Sequence, residues 1–249
     1  MAGHSHWAQI KHKKAKIDAQ RGKIFSKIIR EITVAVREGG PNPDNNPRLR
    51  NAIENAKKVN MPMETIERAI KKGAGELSGE SYEEVVYEGY GPGGVAIMVF
   101  ALTDNRNRTT SEVRHVFTKH GGNLGSSGCV SYMFERVGYI EVPKDAISEE
   151  ELYEKAIEAG AKDVEVGSEY YIVYTEPEEF YEVKERLASA GVPIESAELT
   201  YKPNVTTRVE DPETVKKLLK LMEALDELDD VQKVISNFDV PEEILKQVV

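Results

Sequence analysis

The sequence predicts a multidomain α and α+β chain: an N-terminal three-helix domain followed by two ferredoxin-like α+β domains, one inserted in the other. Three observations carry this. Apolar residues repeat at helical spacing through the first 75 residues. After Gly79 the pattern changes to short strands alternating with helices. Residues 136–202 complete a β-α-β-β-α-β order by themselves, while strand and helix patterns on either side are left over.

In the first helix Ile17, Ile24, Phe25, Ile28, Ile29, Ile32 and Val36 recur every three, four or seven residues, and Gly39-Gly40-Pro41 ends it. A second helix opens at Asn46-Pro47, a cap followed by a first-turn proline, and carries Leu49, Ala52, Ile53 and Ala56. A third opens near Pro62, carries Ile66, Ala69 and Ile70, and closes at Lys71-Lys72-Gly73. Three amphipathic helices this close together form a small bundle. The stretch 73–79 reads as a linker.

Beyond it, Glu84–Tyr90 and Val95–Thr103 read as strands around the turn Gly91-Pro92-Gly93-Gly94, Asn107–His120 as a helix and Cys129–Glu135 as a strand. Tyr139–Val142, Ser148–Ala159, Val164–Gly167, Glu169–Thr175, Pro177–Ala190 and Ile194–Tyr201 follow as strand, helix, strand, strand, helix and strand. A strand near Val205–Val209, a helix Pro212–Leu228 and a strand Val231–Phe238 close the chain. Two leftover β-α-β pieces, one from 95–135 and one from 205–238, are expected to join into a second split unit. The expected domains are therefore 1–78 (basic, helical), 79–135 with 203–249 (α+β, in two segments) and 136–202 (the inserted α+β domain).

Composition narrows the function. The 249 residues are 40% hydrophobic and 31% charged, an ordinary globular balance, and no apolar run approaches the roughly 20 residues of a membrane span. No signal peptide is visible, and one cysteine, Cys129, excludes an intramolecular disulfide framework, so a cytoplasmic protein without membrane contact is expected. The net charge of -10 is uneven: residues 1–75 carry +9 and residues 76–249 carry -19. A basic end on an acidic body points to a polyanion partner.

The basic stretch is Lys11, Lys13, Lys14, Lys16, Arg21, Lys23, Lys27 and Arg30, with Trp7 upstream as a stacking candidate. Lysine and arginine attract phosphates and displace their counterions, and an indole stacks on an unpaired base. Arg106 and Arg108 lie where a strand passes into a helix, beside its positive end, a second candidate for anion contact. Capping by Asn105 or Asn107 with local ion pairs is the competing reading. The run Gly121–Gly128 resembles a phosphate loop, but it leaves a helix for a strand and holds no lysine, so a helix cap and bend is expected. Tyr139, Tyr170 and Tyr174 sit on strands as base-stacking aromatics do, yet in a stretch of net charge -10; packing is the better reading. HExxH, Walker A, GxSxG and dinucleotide fingerprints are absent. His115 and His120 are poorly spaced for a metal. The sequence therefore indicates no cofactor, no metal and no enzyme.

The start Met1-Ala-Gly-His-Ser-His-Trp-Ala-Gln-Ile-Lys-His-Lys-Lys, then Arg21-Gly-Lys-Ile-Phe-Ser-Lys and Asn60-Met-Pro, resemble the YebC/PmpR family. So do Tyr87-Glu-Gly-Tyr-Gly-Pro-Gly-Gly, Thr103-Asp-Asn-Arg-Asn-Arg-Thr and Gly121-Gly-Asn-Leu-Gly. The resemblance implies a three-domain fold and a cytoplasmic DNA-binding transcriptional regulator. It equally implies kinship with mitochondrial translational activators and with bacterial proteins linked to ribosomes. Three expectations follow: a DNA-binding regulator, a translation factor on ribosomal RNA, and a protein adaptor working through the acidic domains.

Overall fold

The computed structural model describes residues 21–75 and 81–248. Among the described residues the chain forms two compact units. One runs to Phe134 and resumes at Pro203; the other is Glu135–Lys202. The predicted fold class stands: a helical N-terminal region followed by α+β sheets.

In the first unit, α1 (Arg21–Gly39) packs against α2 (Pro47–Lys58) and α3 (Met63–Gly73). The predicted stripes meet: Ile32, Ala35 and Val36 bury against Leu49, Ala52, Ala56, Ile66 and Ala69. Asn46 caps α2 by accepting from the Leu49 N–H at 3.1 Å. The end of α3 comes so close to α1 that a Cβ on Gly73 would lie 2.7 Å from the Thr33 carbonyl oxygen.

The same unit holds a four-stranded antiparallel sheet of β1 (Glu83–Tyr90), β2 (Ala96–Thr103), β3 (Asn123–Leu124) and β9 (Val231–Ser236), in the order β3-β1-β2-β9. Helices α4 (Arg106–Lys119) and α7 (Pro212–Asp226) cover one face, where Val85, Tyr87, Ile97 and Val99 meet Val113, Phe117, Leu218 and Leu221. A final helix, α8 (Glu242–Val248), adds Leu245 to this core.

The second unit contains most of β4 (Phe134–Pro143), with β5 (Asp163–Val166), β6 (Tyr170–Thr175) and most of β7 (Ser196–Pro203), in the order β5-β6-β4-β7. Helices α5 (Glu149–Ala159) and α6 (Phe180–Ser189) lie on one face over Ile140, Val142, Tyr171 and Val173. Helix crossovers join β4 to β5 and β6 to β7, the ferredoxin-like layout.

Both sheets have one spatial plan, but two strands expected in the split sheet are replaced. Cys129–Glu135 is not a strand: it holds a 3₁₀ turn at Ser131–Met133, and β4 starts only at Phe134. The N–H groups of Gly128, Val130 and Ser131 are bonded to the Glu88 carboxylate, so they have none to offer a ladder. The edge position falls instead to the two-residue β3. Val205–Val209 shrinks to β8 (Thr207–Arg208), which pairs in parallel with β10 (Phe238–Asp239) outside the main sheet. Its expected inner place is taken by β1, joined to β2 by a hairpin.

Candidate nucleic-acid interface

Lys11, Lys13, Lys14, Lys16 and Trp7 lie outside the described residues, and Arg21 opens α1. The next three predicted cations follow at one helical spacing, and the structure sets them against the turn between α7 and β9. Lys23 Nζ donates to the Glu227 carbonyl oxygen at 2.8 Å. Lys27 Nζ donates to the Asp226 carbonyl oxygen and lies 3.4 Å from the Asp226 carboxylate. These lysines satisfy carbonyls that a helix C-terminus leaves open, at its negative end. Arg30 Nη1 donates to the Leu102 carbonyl oxygen at 2.8 Å and to Asp230 Oδ1 at 2.7 Å. Its guanidinium also stands 5.0 Å from the Tyr82 ring centre. Lys23, Lys27 and Arg30, expected to face a phosphate partner, are engaged in the structure by internal contacts that fasten α1 to the α+β part of the unit.

Asp230 is the centre of this contact. It is 3% exposed and also accepts from Arg108 Nη2 at 3.0 Å and from Thr109 Oγ1 at 2.7 Å. Burial alone would push its carboxyl up; the hydrogen bonds from Arg30, Thr109 and Arg108 outweigh this and hold it below the usual carboxylate range. A second clamp is Arg48, which reaches Glu31 at 2.7 Å and Glu84 of β1 at 2.8 Å.

The 103–110 motif resolves in the same way. Asn105 caps α4, accepting from the Arg108 N–H at 3.1 Å. Arg108 is tied to Asp104 at 2.7 Å as well as to Asp230, so it is an internal ligand rather than a free anion contact. Arg106 remains exposed, with Glu83 4.0 Å away.

The glycine-rich run after α4 is a helix cap and bend that encloses a carboxylate. Gly121 is left-handed and the Gly122 N–H closes onto the Phe117 carbonyl oxygen at 2.8 Å. Glu88 of β1, 5% exposed, then accepts from the N–H groups of Gly128 at 2.6 Å, Val130 at 3.1 Å and Ser131 at 2.6 Å. Gly128 has φ +90°, a conformation glycine adopts without strain. Burial raises the Glu88 carboxyl, and the three backbone donors more than offset it, leaving it lowered. The nest is thus filled from within. Burial and the Glu88 charge push the Cys129 thiol up, away from the thiolate a nucleophile needs.

Tyr139 and Tyr174 are packed, each 2% exposed, their rings edge to face at 6.0 Å. The Tyr139 hydroxyl donates to Glu141 at 2.9 Å. Among the described residues no group of His, Cys, Asp and Glu is placed to hold a metal ion, and no helix is long and apolar enough to cross a membrane.

Sequence reasoning missed Asp230 and Glu88 as organising residues. Asp230 sits in an acidic run that reads as solvated surface, and Glu88 in a strand whose partners lie 40 residues on. Neither has a local signal.

Comparison with known proteins agrees over the whole length. Residues 5–76 match the TACO1/YebC protein N-terminal domain, and residues 82–238 match the TACO1/YebC second and third domain. A protein of Aquifex aeolicus is 73% identical over 248 residues, spanning all of both chains, and bears the name "probable transcriptional regulatory protein". One of Persephonella marina, with the same name, is 64% identical over 249 residues, again over all of both chains. The crystal structure of a conserved hypothetical protein from Aquifex aeolicus, 73% identical, superposes with a TM-score of 0.90 over 96% of this chain and 99% of that one.

Proposed function

Because this chain belongs to the TACO1/YebC family, we infer that it is a non-enzymatic, cytoplasmic regulator of gene expression that binds DNA through its basic N-terminal segment. The observation that carries the reading is how the cations divide. Lys23, Lys27 and Arg30 are engaged by the α7–β9 turn. Lys11, Lys13, Lys14 and Lys16 immediately precede this anchored helix. A row of lysines ahead of a fixed anchor supplies phosphate affinity, and the net negative charge of residues 76–249 opposes contact over most of the body. The names of the relatives support transcription as the process regulated.

A second reading is a translation factor on ribosomal RNA. It is favoured by the make-up of the segment, where lysines dominate and side chains able to read base edges are few. Phosphate contact of that kind suits a structured RNA.

Competition binding at about 150 mM salt, near physiological screening, separates the two. Labelled genomic DNA fragments and labelled ribosomal RNA compete for the full-length protein and for its K11E/K13E/K14E/K16E variant. Tight binding to a few DNA fragments, lost in the variant, supports the DNA reading. Preference for ribosomal RNA, lost in the variant, replaces it with the translation reading. Unchanged binding by the variant overturns both.

A further inference from the structure

The outward face of α4 departs from the rules its neighbours obey. Asn107, Ser111, Arg114, His115, Thr118 and Lys119 are all exposed there, and none is a carboxylate. The helix carries Arg106, Arg108, Arg114 and Lys119 against a single acid, Glu112, in a body of strongly negative charge. Its first turn holds two arginines and no acid, opposite to what the helix dipole favours. The helices α5, α6 and α7 all carry glutamate in the first turn, whereas α1 and α2 of the basic bundle, like α4, carry basic residues and no acid there.

The neutral residues depart as well. Solvent-facing helix positions are where strong helix formers cost nothing, and α7 uses Lys216, Lys217 and Lys220 there. On α4 the outer positions hold asparagine, serine, histidine and threonine, all weak formers. The face therefore gives up helix stability for short hydrogen-bonding side chains. Sequences that break a local rule in one consistent direction do so at functional surfaces.

The chemistry selects the partner. Arginine, lysine, serine, threonine and asparagine are the side chains that contact nucleic-acid phosphates. A protein-binding face would centre on an aromatic or apolar anchor, and the outer face of α4 has none.

Resting on the DNA reading above, we propose that the outward face of α4 is a second phosphate-contact surface, which holds the backbone of duplex DNA while the N-terminal lysines hold another stretch of it. The test is fluorescence anisotropy of a labelled random-sequence duplex across a salt series. It compares the full-length protein, R114E/K119E, S111A/T118A and the four-lysine variant, with thermal melts reporting whether each is folded. R114E/K119E is expected to bind at least roughly tenfold more weakly and to lower the log–log salt slope by about 2, at about 0.9 per lost contact. S111A/T118A keeps the charge and is expected to melt higher yet bind more weakly. If both α4 variants bind the duplex like the parent while the four-lysine variant loses binding, the α4 surface is refuted and the DNA reading stands. If the parent itself does not bind, both fall. If the α4 variants lose a structured RNA and keep the duplex, the surface is not one for DNA and the proposal is overturned.

Discussion

Replacing Asp230 by alanine tests whether the α1 cations are structural. The carboxylate is 3% exposed and receives Arg30, Arg108 and Thr109 at 2.7–3.0 Å. Arg30 is itself 17% exposed on its side chain, and Thr109 is fully buried. Alanine leaves a largely buried guanidinium without its counter-charge, held only by the Leu102 carbonyl and the Tyr82 ring, while the Thr109 hydroxyl keeps Thr103 and Asn105. Losing one partner of a buried ion pair costs about 3–5 kcal/mol. Arg108 adds little, because it is 43% exposed and keeps Asp104. The expected loss is about 3–4 kcal/mol, read as a lower denaturant midpoint at unchanged m-value. The pH dependence has a definite sign. The folded carboxyl is lowered, so its stabilisation is present above the unfolded aspartate value of about 3.9 and is lost as pH falls through the folded value. The gap between parent and variant should close in acid. A D230A/R30M double variant should recover part of the loss, since no charge is left buried. A D230A cost under about 1 kcal/mol, constant from neutral to acid pH, refutes the reasoning, because Arg30 would then be free to serve a ligand.

Other expectations are equally direct. Glu88→Gln presents an amide N–H₂ to three backbone donors; it should cost about 2–3 kcal/mol in chemical denaturation. Because the folded Glu88 carboxyl is also lowered, that difference too should shrink as pH falls below the unfolded glutamate value of about 4.3. Asn107→Ala with Ser111→Ala and Thr118→Ala should stabilise the protein by roughly 1–2 kcal/mol, the summed propensity gain, read as a raised midpoint. A destabilised triple variant would show that these side chains serve the fold.

The bundle was legible because its stripes are local: Ile32, Val36, Leu49 and Ile66 repeat at helical spacing and meet as that spacing requires. The second unit was legible because its strand and helix patterns alternate without interruption. Asn46 announced its helix, and of the two asparagines offered for α4 the structure selects Asn105, since a cap acts on an N–H only three residues ahead. The failures share one physical cause. Val130 and Phe134 are apolar and buried, as strand residues are, but the peptide groups beside Val130 answer to a carboxylate on a strand 40 residues earlier. No periodicity encodes that distance. The α1 cations were found by type and spacing, yet their partners stand about 200 residues away. Their sign was legible and their use was not.

That distinction changes how the charge asymmetry should be counted. A helix of positive side chains laid on the negative end of α7 cancels locally, so the field offered to a partner is smaller than the +9 of residues 1–75 implies. Ten cations, Lys11, Lys13, Lys14, Lys16, Arg21, Lys23, Lys27, Arg30, Arg106 and Arg108, look like phosphate ligands in the sequence. At about 0.9 per contact they would give a log–log salt slope near 9 on duplex DNA. The structure withdraws Lys23, Lys27, Arg30 and Arg108 into internal contacts. If the contacts are instead the four N-terminal lysines with Arg114 and Lys119, the slope should be about 5. K27Q and R30Q should then weaken the fold and leave that slope unchanged. A slope near 9 that drops in either variant would mean that nucleic acid displaces the acidic turn and takes α1 for itself.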